Sequence, residues 1–229
     1  MKAMILAAGL GVRLRPITNS MPKALVVVDG KPLLQHALEH IKRYGIHDVI
    51  INVHHFPRQI EDFLRVNDNF GLSIVISDES DELLETGGGV KKAAWFFSDG
   101  EPFVVRNVDI LSDLDLNLMM RFHRTEAPLA TLAVRDRETS RYFLFDKENT
   151  LCGWENRKTE ERRISRECGA LRNFAFSGIQ ILQPDIFPLI TESGKFSLTD
   201  LYIRLASNHP IKGFIDTSLV WRDIGKIGS

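Results

Sequence analysis

Two groups of residues in this chain have types and spacings suited to phosphate chemistry. The first is the run Ala8-Gly9-Leu10-Gly11-Val12-Arg13-Leu14-Arg15-Pro16, with Lys23 farther on. Glycines directly after a strand let the backbone turn tightly and present its N–H groups to phosphate oxygens. Arg13, Arg15 and Lys23 add cations that can neutralise a polyphosphate through charge-assisted hydrogen bonds. The pattern is not a dinucleotide fingerprint, because Leu14 takes the third glycine place of G-x-G-x-x-G, and no G-x-x-x-x-G-K-S/T sequence occurs. Hydride transfer and P-loop chemistry are therefore poor readings. The loop alone is equally readable as a solvated segment carrying ordinary surface charges.

The second group is a pair of carboxylates. Asp109 follows the apolar run 102–105 and Asp223 follows Leu219-Val220-Trp221, so both fall near ends of short strands, where parallel sheets place ligands. Two such groups can hold one Mg2+, an octahedral, oxygen-seeking ion commonly shared with substrate phosphates. Asp113, Asp115 and Asp216 lie nearby in sequence, and an aspartate at a strand end can equally cap a turn. Covalent catalysis has no visible nucleophile: the sequence contains no G-x-S-x-G elbow, no H-E-x-x-H pair and no cysteine with an obvious activating partner. His54 and His55 are adjacent on a strand end and point to opposite faces, against a shared metal. One reaction type needs neither a nucleophilic side chain nor a general base. A phosphate monoester, with a second pKa of about 6, is a dianion at neutral pH and attacks another phosphate once aligned and neutralised. Nucleotidyl transfer to a phosphate meets these constraints.

Such residues need elements to position them. Ala3 to Ala8 is a continuous apolar run bounded by glycines, which suits a strand buried on both faces, and runs 49–53, 72–76 and 102–105 read likewise. Between them, Leu33, Leu34, Ala37, Leu38, Ile41 and Tyr44 recur at helical spacing after Pro32 and before Gly45. A second helix opens at Pro57, and a third is expected from Val90 to Phe97 after Gly87-Gly88-Gly89; Ala24 to Val28 is expected as a strand ending at the Asp29-Gly30 turn. This alternation predicts an α/β fold with a doubly wound, mostly parallel, Rossmann-like sheet. Past Asp115 the rhythm loosens, with strands over 129–134, 142–145 and 175–182 around a polar stretch from Glu155 to Arg172. One domain over 1–229 is expected, with a small strand-rich insertion at about 129–182. The mixed charges of Arg157 to Arg163 fit a solvated loop or hairpin better than a binding patch.

Composition narrows the class further. In 229 residues, 29 Lys+Arg against 30 Asp+Glu give a formal net charge of −1, which offers no cationic excess for nucleic acid or an acidic membrane. Hydrophobic content of 44% and charged content of 26% are those of an ordinary globular protein and exclude extended disorder or a membrane bundle. The apolar stretch Met4 to Ala8 is too short for a secretory core, and no apolar run is long enough to span a bilayer, so a soluble cytoplasmic protein is expected. Cys152 and Cys168, with no second pair, are expected to stay reduced and to form neither a disulfide framework nor a zinc site.

Met4-Ile5-Leu6-Ala7-Ala8-Gly9-Leu10-Gly11-Val12-Arg13-Leu14-Arg15-Pro16, followed by Pro22-Lys23-Ala24-Leu25, closely resembles the signature of the sugar-1-phosphate nucleotidyltransferases. Further matches run along nearly the whole chain: Gly30-Lys31-Pro32, Leu84-Glu85-Thr86-Gly87-Gly88-Gly89, Asn107 with Asp109, Phe176-Ser177-Gly178-Ile179 and Trp221-Arg222-Asp223-Ile224-Gly225. The Glu-Thr-Gly-Gly-Gly run and the short length resemble most the family's N-acetylmuramic acid 1-phosphate uridylyltransferase branch. The resemblance implies a Rossmann-like nucleotidyltransferase fold and transfer of a nucleoside monophosphate from a nucleoside triphosphate, UTP favoured, to a sugar 1-phosphate, with Mg2+ as cofactor. It implies that Gly9, Gly11, Val12 and Arg13 hold the triphosphate and that Lys23 bridges the nucleotide and sugar phosphates. Leu6, Ala8, Thr86, Gly87 and Gly88 border the base, Asn107 lies at the ribose or phosphate, and Asp109 and Asp223 bind the metal, with Arg13, Lys23 and both aspartates forming the catalytic set. Glu155 and Gly178 face the sugar.

The sequence departs from the family pattern in two places. Val108 stands where a glycine commonly precedes the metal-binding aspartate, so an ordinary backbone is expected there. Trp154-Glu155-Asn156-Arg157 resembles a Glu-Lys-Pro segment that has lost its cation at Asn156, with Arg157 or Lys158 as replacements. Relatives usually continue with a helix after the position of Asp223; no hexapeptide-repeat region follows, so no second acyltransferase activity is expected. Two alternatives remain: a phosphocholine cytidylyltransferase, whose family shares the N-terminal signature, or a nucleotide-sensing domain that binds without transfer. Neither base identity nor oligomeric state follows from the sequence.

Overall fold

Every residue of β1 (Lys2–Leu6) after Lys2 is buried, which is why this strand reads as an unbroken apolar run. In the computed structural model, which describes residues 1–225, β1 is flanked in parallel by β4 (Asp48–Val53) and β6 (Phe103–Asn107). β5 (Ser73–Asp78) extends the sheet in parallel from β4. Parallel neighbours need crossovers, and α1 (Leu33–Arg43), α2 (Pro57–Val66) and α3 (Glu85–Lys92) lie in these connections. α1 buries Leu33, Leu34, Ala37, Leu38 and Ile41, the stripe whose spacing identified it. One core layer joins that stripe to Ile5 and Ile51; the other joins Met4, Ile50 and Val105 to Phe97, Phe103 and Tyr202. Successive β1 side chains thus enter opposite layers.

Beyond α4 (Leu116–Glu126) the sheet becomes mixed. β12 (Arg172–Leu182), 11 residues long, pairs antiparallel with β6, with β8 (Ala130–Arg135) and, near its start, with β9 (Arg141–Phe145). β10 (Leu151–Asn156) and β11 (Glu161–Ile164) continue from β9 as a meander, while β13 (Ile211–Ile215), after α5 (Leu198–Leu205), joins β8 in parallel. The strand-rich stretch after Asp115 is therefore continuous with the central sheet through β12. Two small ribbons lie apart: β2 (Val27–Val28) with β3 (Lys31–Pro32), and β7 (Ile110–Ser112) with β14 (Trp221–Asp223). Lys226 to Ser229 lie outside the described residues.

Local expectations fail where tertiary contacts outrank propensity. α3 contains the three glycines instead of starting after them, and of the helix expected over Val90 to Phe97, Val90 to Lys92 form the last turn of α3 and Ala94–Phe97 a 3-10 turn. A Cβ on Gly87 would stand 2.4 Å from the Phe196 ring, so close packing, not helix preference, requires glycine there. The strand expected over Ala24 to Val28 is a 3-10 turn, Lys23–Leu25, followed by β2, because the Val26 amide bonds back to the Lys23 carbonyl.

The cysteine expectation is corrected outright. Cys152 and Cys168 are joined by a disulfide, with their Cα atoms 6.5 Å apart. Antiparallel pairing of β10 with β11 turns the chain back, and the Ser165 amide bonds to the Cys152 carbonyl at 2.8 Å, which carries the following segment to Cys168 alongside. Among the described residues no helix is long and apolar enough to cross a membrane.

Candidate active site

The C-terminal ends of β1 and β6 open into a cavity of about 330 Å³, a volume suited to a small ligand. Leu6, Ala8 and Gly9 form one wall, Asn107 and Asp109 another, and Thr86 with Ser197 a third. The glycine run backs that third wall. A Cβ on Gly88 would stand 2.4 Å from the Gly194 carbonyl oxygen, and the amides of Gly87 and Gly88 both bond to the Phe196 carbonyl. Thr86 Oγ1 accepts the Leu198 amide at 2.9 Å, which ties α3 to the start of α5.

The loop after β1 holds its shape through Gly11. Its φ is +62°, its carbonyl accepts Thr18 Oγ1–H at 2.8 Å, and a Cβ there would stand 2.8 Å from Thr18 Cγ2. The tight loop leaves Val12 and Arg13 outward and returns the chain to Lys23. Lys23 is buried and forms an ion pair with Asp109.

Asp109 and Asp223 come together because β14 pairs with β7, one residue beyond Asp109. The place a Cβ would occupy on Gly225 is 2.7 Å from Asp223 Oδ1, 2.8 Å from Arg13 Nη2 and 3.2 Å from Asp109 Oδ2. Two carboxylates and a guanidinium thus converge on one point beside the cavity. Gly178, at φ +81°, lets β12 approach this turn: a Cβ there would stand 2.5 Å from Ile110 Cγ1 and 3.3 Å from Asn107 Nδ2. Val108 is buried with a backbone outside the left-handed region, and its amide bonds to the Leu6 carbonyl at 3.1 Å.

Glu155 is not among the residues lining the cavity. Its carboxylate pairs with Arg157, whose guanidinium lies 4.3 Å over the Tyr142 ring. Asn156 Oδ1 accepts the Lys158 amide within the hairpin turn.

Three residues that sequence reasoning passed over support the site. Asn52 Oδ1 accepts the Ala7 amide at 2.8 Å, and its Nδ2 donates to Glu79 Oε1 at 2.7 Å. Burial pushes the Glu79 carboxyl up, against the opposing bonds from Asn52 and from the Leu84 amide. The only signal in the sequence was a polar residue inside the apolar run of β4. The third is Arg106, buried beneath the turn that carries Asp109 and held down to a pKa of about 10 by that burial, with the Asp109 charge opposing. It donates from Nη2 to the Ile110 carbonyl and from Nη1 to His40 Nδ1. His40, pushed down to about 3 mainly by burial and then by Arg106, is neutral, so its proton sits on Nε2 and is donated to the Leu114 carbonyl at 2.9 Å. The turn between Asp109 and Leu114 is thereby anchored at both ends.

A family model described as nucleotidyl transferase matches residues 2–229. The chain belongs to this family. Among curated nucleotidyl transferases, it is 34% identical to the N-acetylmuramate alpha-1-phosphate uridylyltransferase of Caulobacter vibrioides, over 97% of this chain and 91% of that protein. The UTP–glucose-1-phosphate uridylyltransferase of Synechocystis sp. is 31% identical over 99% of this chain, and the chain spans 61% of that longer relative. The fold matches a putative glucose-1-phosphate thymidylyltransferase from Bacillus anthracis with a TM-score of 0.83 at 20% identity, covering 99% of this chain and 91% of that one.

Proposed function

We propose that this nucleotidyl transferase moves a nucleoside monophosphate from a nucleoside triphosphate, UTP favoured, onto a sugar 1-phosphate. A phosphate oxygen of the acceptor bonds to the α-phosphorus, the bond from that phosphorus to the bridging oxygen breaks, and pyrophosphate leaves with the electron pair. No proton has to be removed from a dianionic acceptor, which agrees with a site that holds cations and carboxylates and, among the described residues, no base poised beside a nucleophile. The observation that carries the reading is the convergence of Arg13, Asp109 and Asp223 on one point, with Lys23 paired to Asp109 at the cavity wall.

The residues present fit Mg2+, since two hard carboxylate oxygens approach the same point. Asp109 and Asp223 would hold it, and bound there it would screen the charge between the reacting phosphates. The chain itself does the rest. Backbone amides of the Gly9–Arg13 loop receive the triphosphate, Arg13 takes charge that builds on the departing pyrophosphate, and Lys23 reaches from Asp109 to the phosphates. The walls formed by Leu6, Ala8 and Thr86 accept the base. Two relatives bear uridylyltransferase names, which favours UTP.

The test is a matrix of four nucleoside triphosphates against sugar 1-phosphates and phosphocholine, scored for pyrophosphate. UTP-dependent release with a sugar 1-phosphate is expected. Turnover with phosphocholine and CTP alone, or nucleotide binding with no release in any combination, overturns the reading.

A further inference from the structure

Two arginines two residues apart approach the same tryptophan and differ in their partners. Arg135, at the end of β8, donates to Asp216 Oδ2 at 3.1 Å and to Ser218 Oγ and the Ser218 carbonyl at 2.9 Å each. Its charge is balanced by a fully buried carboxylate, and it anchors the segment leading into β14. Arg137 lies nearer the Trp221 ring, with Cζ 4.3 Å from the centroid against 5.8 Å for Arg135. It donates from Nη2 to the Phe176 carbonyl at 3.1 Å and from Nη1 to the Glu138 carbonyl at a long 3.4 Å, and its buried Nε has no partner among the described residues. No described carboxylate forms an ion pair with it, although the Asp223 charge acts on it.

A half-buried guanidinium held by two backbone carbonyls and no carboxylate, with Nε unpartnered, has lost hydration that the protein restores only in part. Its surroundings indicate what restores the rest. The Trp221 indole that supports it donates to the Ser177 carbonyl at 2.9 Å, Gly178 follows against Asn107, and Asp223 is two residues from Trp221 on the same strand. Arg137 is thus packed against the strand that carries Asp223 and bonded to the segment that leads to Gly178. Four other cations around this end are matched, Lys23 to Asp109, Arg135 to Asp216, Arg157 to Glu155 and Arg222 to Asp29, while Arg13 is turned to the point where Asp109 and Asp223 converge.

Resting on the function proposed above, we infer that Arg137 is the guanidinium that receives the phosphate of the acceptor sugar 1-phosphate. Its planar fork suits two phosphate oxygens, and the Trp221 face keeps that fork from folding away. Arg137 touches the substrate in this arrangement and sets which acceptors enter: anionic at the attacking end, whatever the base on the nucleotide.

The test compares wild type with Arg137→Met and Arg137→Lys. Arg137→Met keeps the apolar stem on Trp221, so the thermal midpoint stays near that of wild type. KM is measured separately for UTP and for two acceptors, glucose 1-phosphate and a sugar 1-phosphate that also bears a carboxylate. Calorimetric titration of glucose 1-phosphate into enzyme loaded with an unreactive UTP analogue gives a reading independent of turnover. Loss of a charged hydrogen bond predicts a weakening of about ten- to hundredfold for both acceptors in Arg137→Met. UTP stays within about twofold, and Arg137→Lys falls between because it restores the charge without the fork. Equal weakening of UTP and acceptor, no weakening, or loss confined to the carboxylate-bearing acceptor overturns the assignment. If wild type turns over no acceptor, the proposed function fails by itself, and the calorimetric comparison still decides for or against Arg137.

Discussion

The amide of Ile224 donates to the carbonyl of Asp109 at 2.9 Å, so the backbone next to Asp223 and the backbone of Asp109 move as one unit. The separation of the two carboxylates is thus set by strand pairing between β7 and β14 instead of by side-chain rotamers. Asp109→Asn and Asp223→Asn are each expected to lower pyrophosphate release by about 10²- to 10³-fold, the cost of removing one preorganised electrostatic group. Circular dichroism should stay unchanged. A loss below about tenfold in either variant removes that carboxylate from the proposed site.

Gly88 allows α3 to lie against the Gly194 carbonyl, 2.4 Å from where a Cβ would sit. Gly88→Ala must push the two segments apart and is expected to cost about 1–3 kcal/mol of stability. Because the displaced helix backs the wall of the cavity, nucleotide affinity should fall as well. Urea unfolding and nucleotide titration measure both. Unchanged stability contradicts the close approach.

Asn52 joins Ala7, just after β1, to Glu79, accepting from the one and donating to the other. Asn52→Ala leaves a buried amide and a buried carboxyl without that partner and should cost about 1–3 kcal/mol for each unsatisfied group. Since the Ala7 amide lies in the segment that leads into the phosphate loop, KM for the nucleoside triphosphate should rise more than KM for the acceptor. Equal rises place Asn52 in general stability alone.

Burial holds His40 down to a pKa of about 3 and His123 down to about 4. Unfolded, both titrate near 6.5. The unfolded chain therefore binds protons that the native state refuses, so the stability these groups contribute is complete above about pH 6.5 and is lost as pH falls toward the folded values. Each should add a slope of about 1.4 kcal/mol per pH unit within that window. Urea unfolding between these limits should show a shallower acid slope in His123→Asn than in wild type. Identical slopes show that His123 is not held neutral.

The disulfide between Cys152 and Cys168 closes a short loop around β11. Cys168→Ser, or full reduction, is expected to cost about 3 kcal/mol by releasing chain entropy in the unfolded state. Thiol titration under denaturing conditions with and without reductant checks the bond itself. Two free thiols in the unreduced protein would falsify it.

The sequence by itself determined the parallel centre of the fold, because β1, β4, β5 and the buried stripe of α1 are encoded in spacings that a local segment carries unaided. It also carried the family, through an ordered run of glycines, cations and aspartates. Tertiary structure alone decided where the strand-rich region joined the sheet, that the cysteines met, and that α3 began at Glu85 before its glycines. It alone showed Asn52 braced by Glu79, Arg106 braced by His40, and Arg135 neutralised while Arg137 is not. The physical reason is one of range. Periodicity records which way each side chain leaves its own backbone, whereas a charge acquires its partner only when segments far apart in the chain are packed together and water is removed between them.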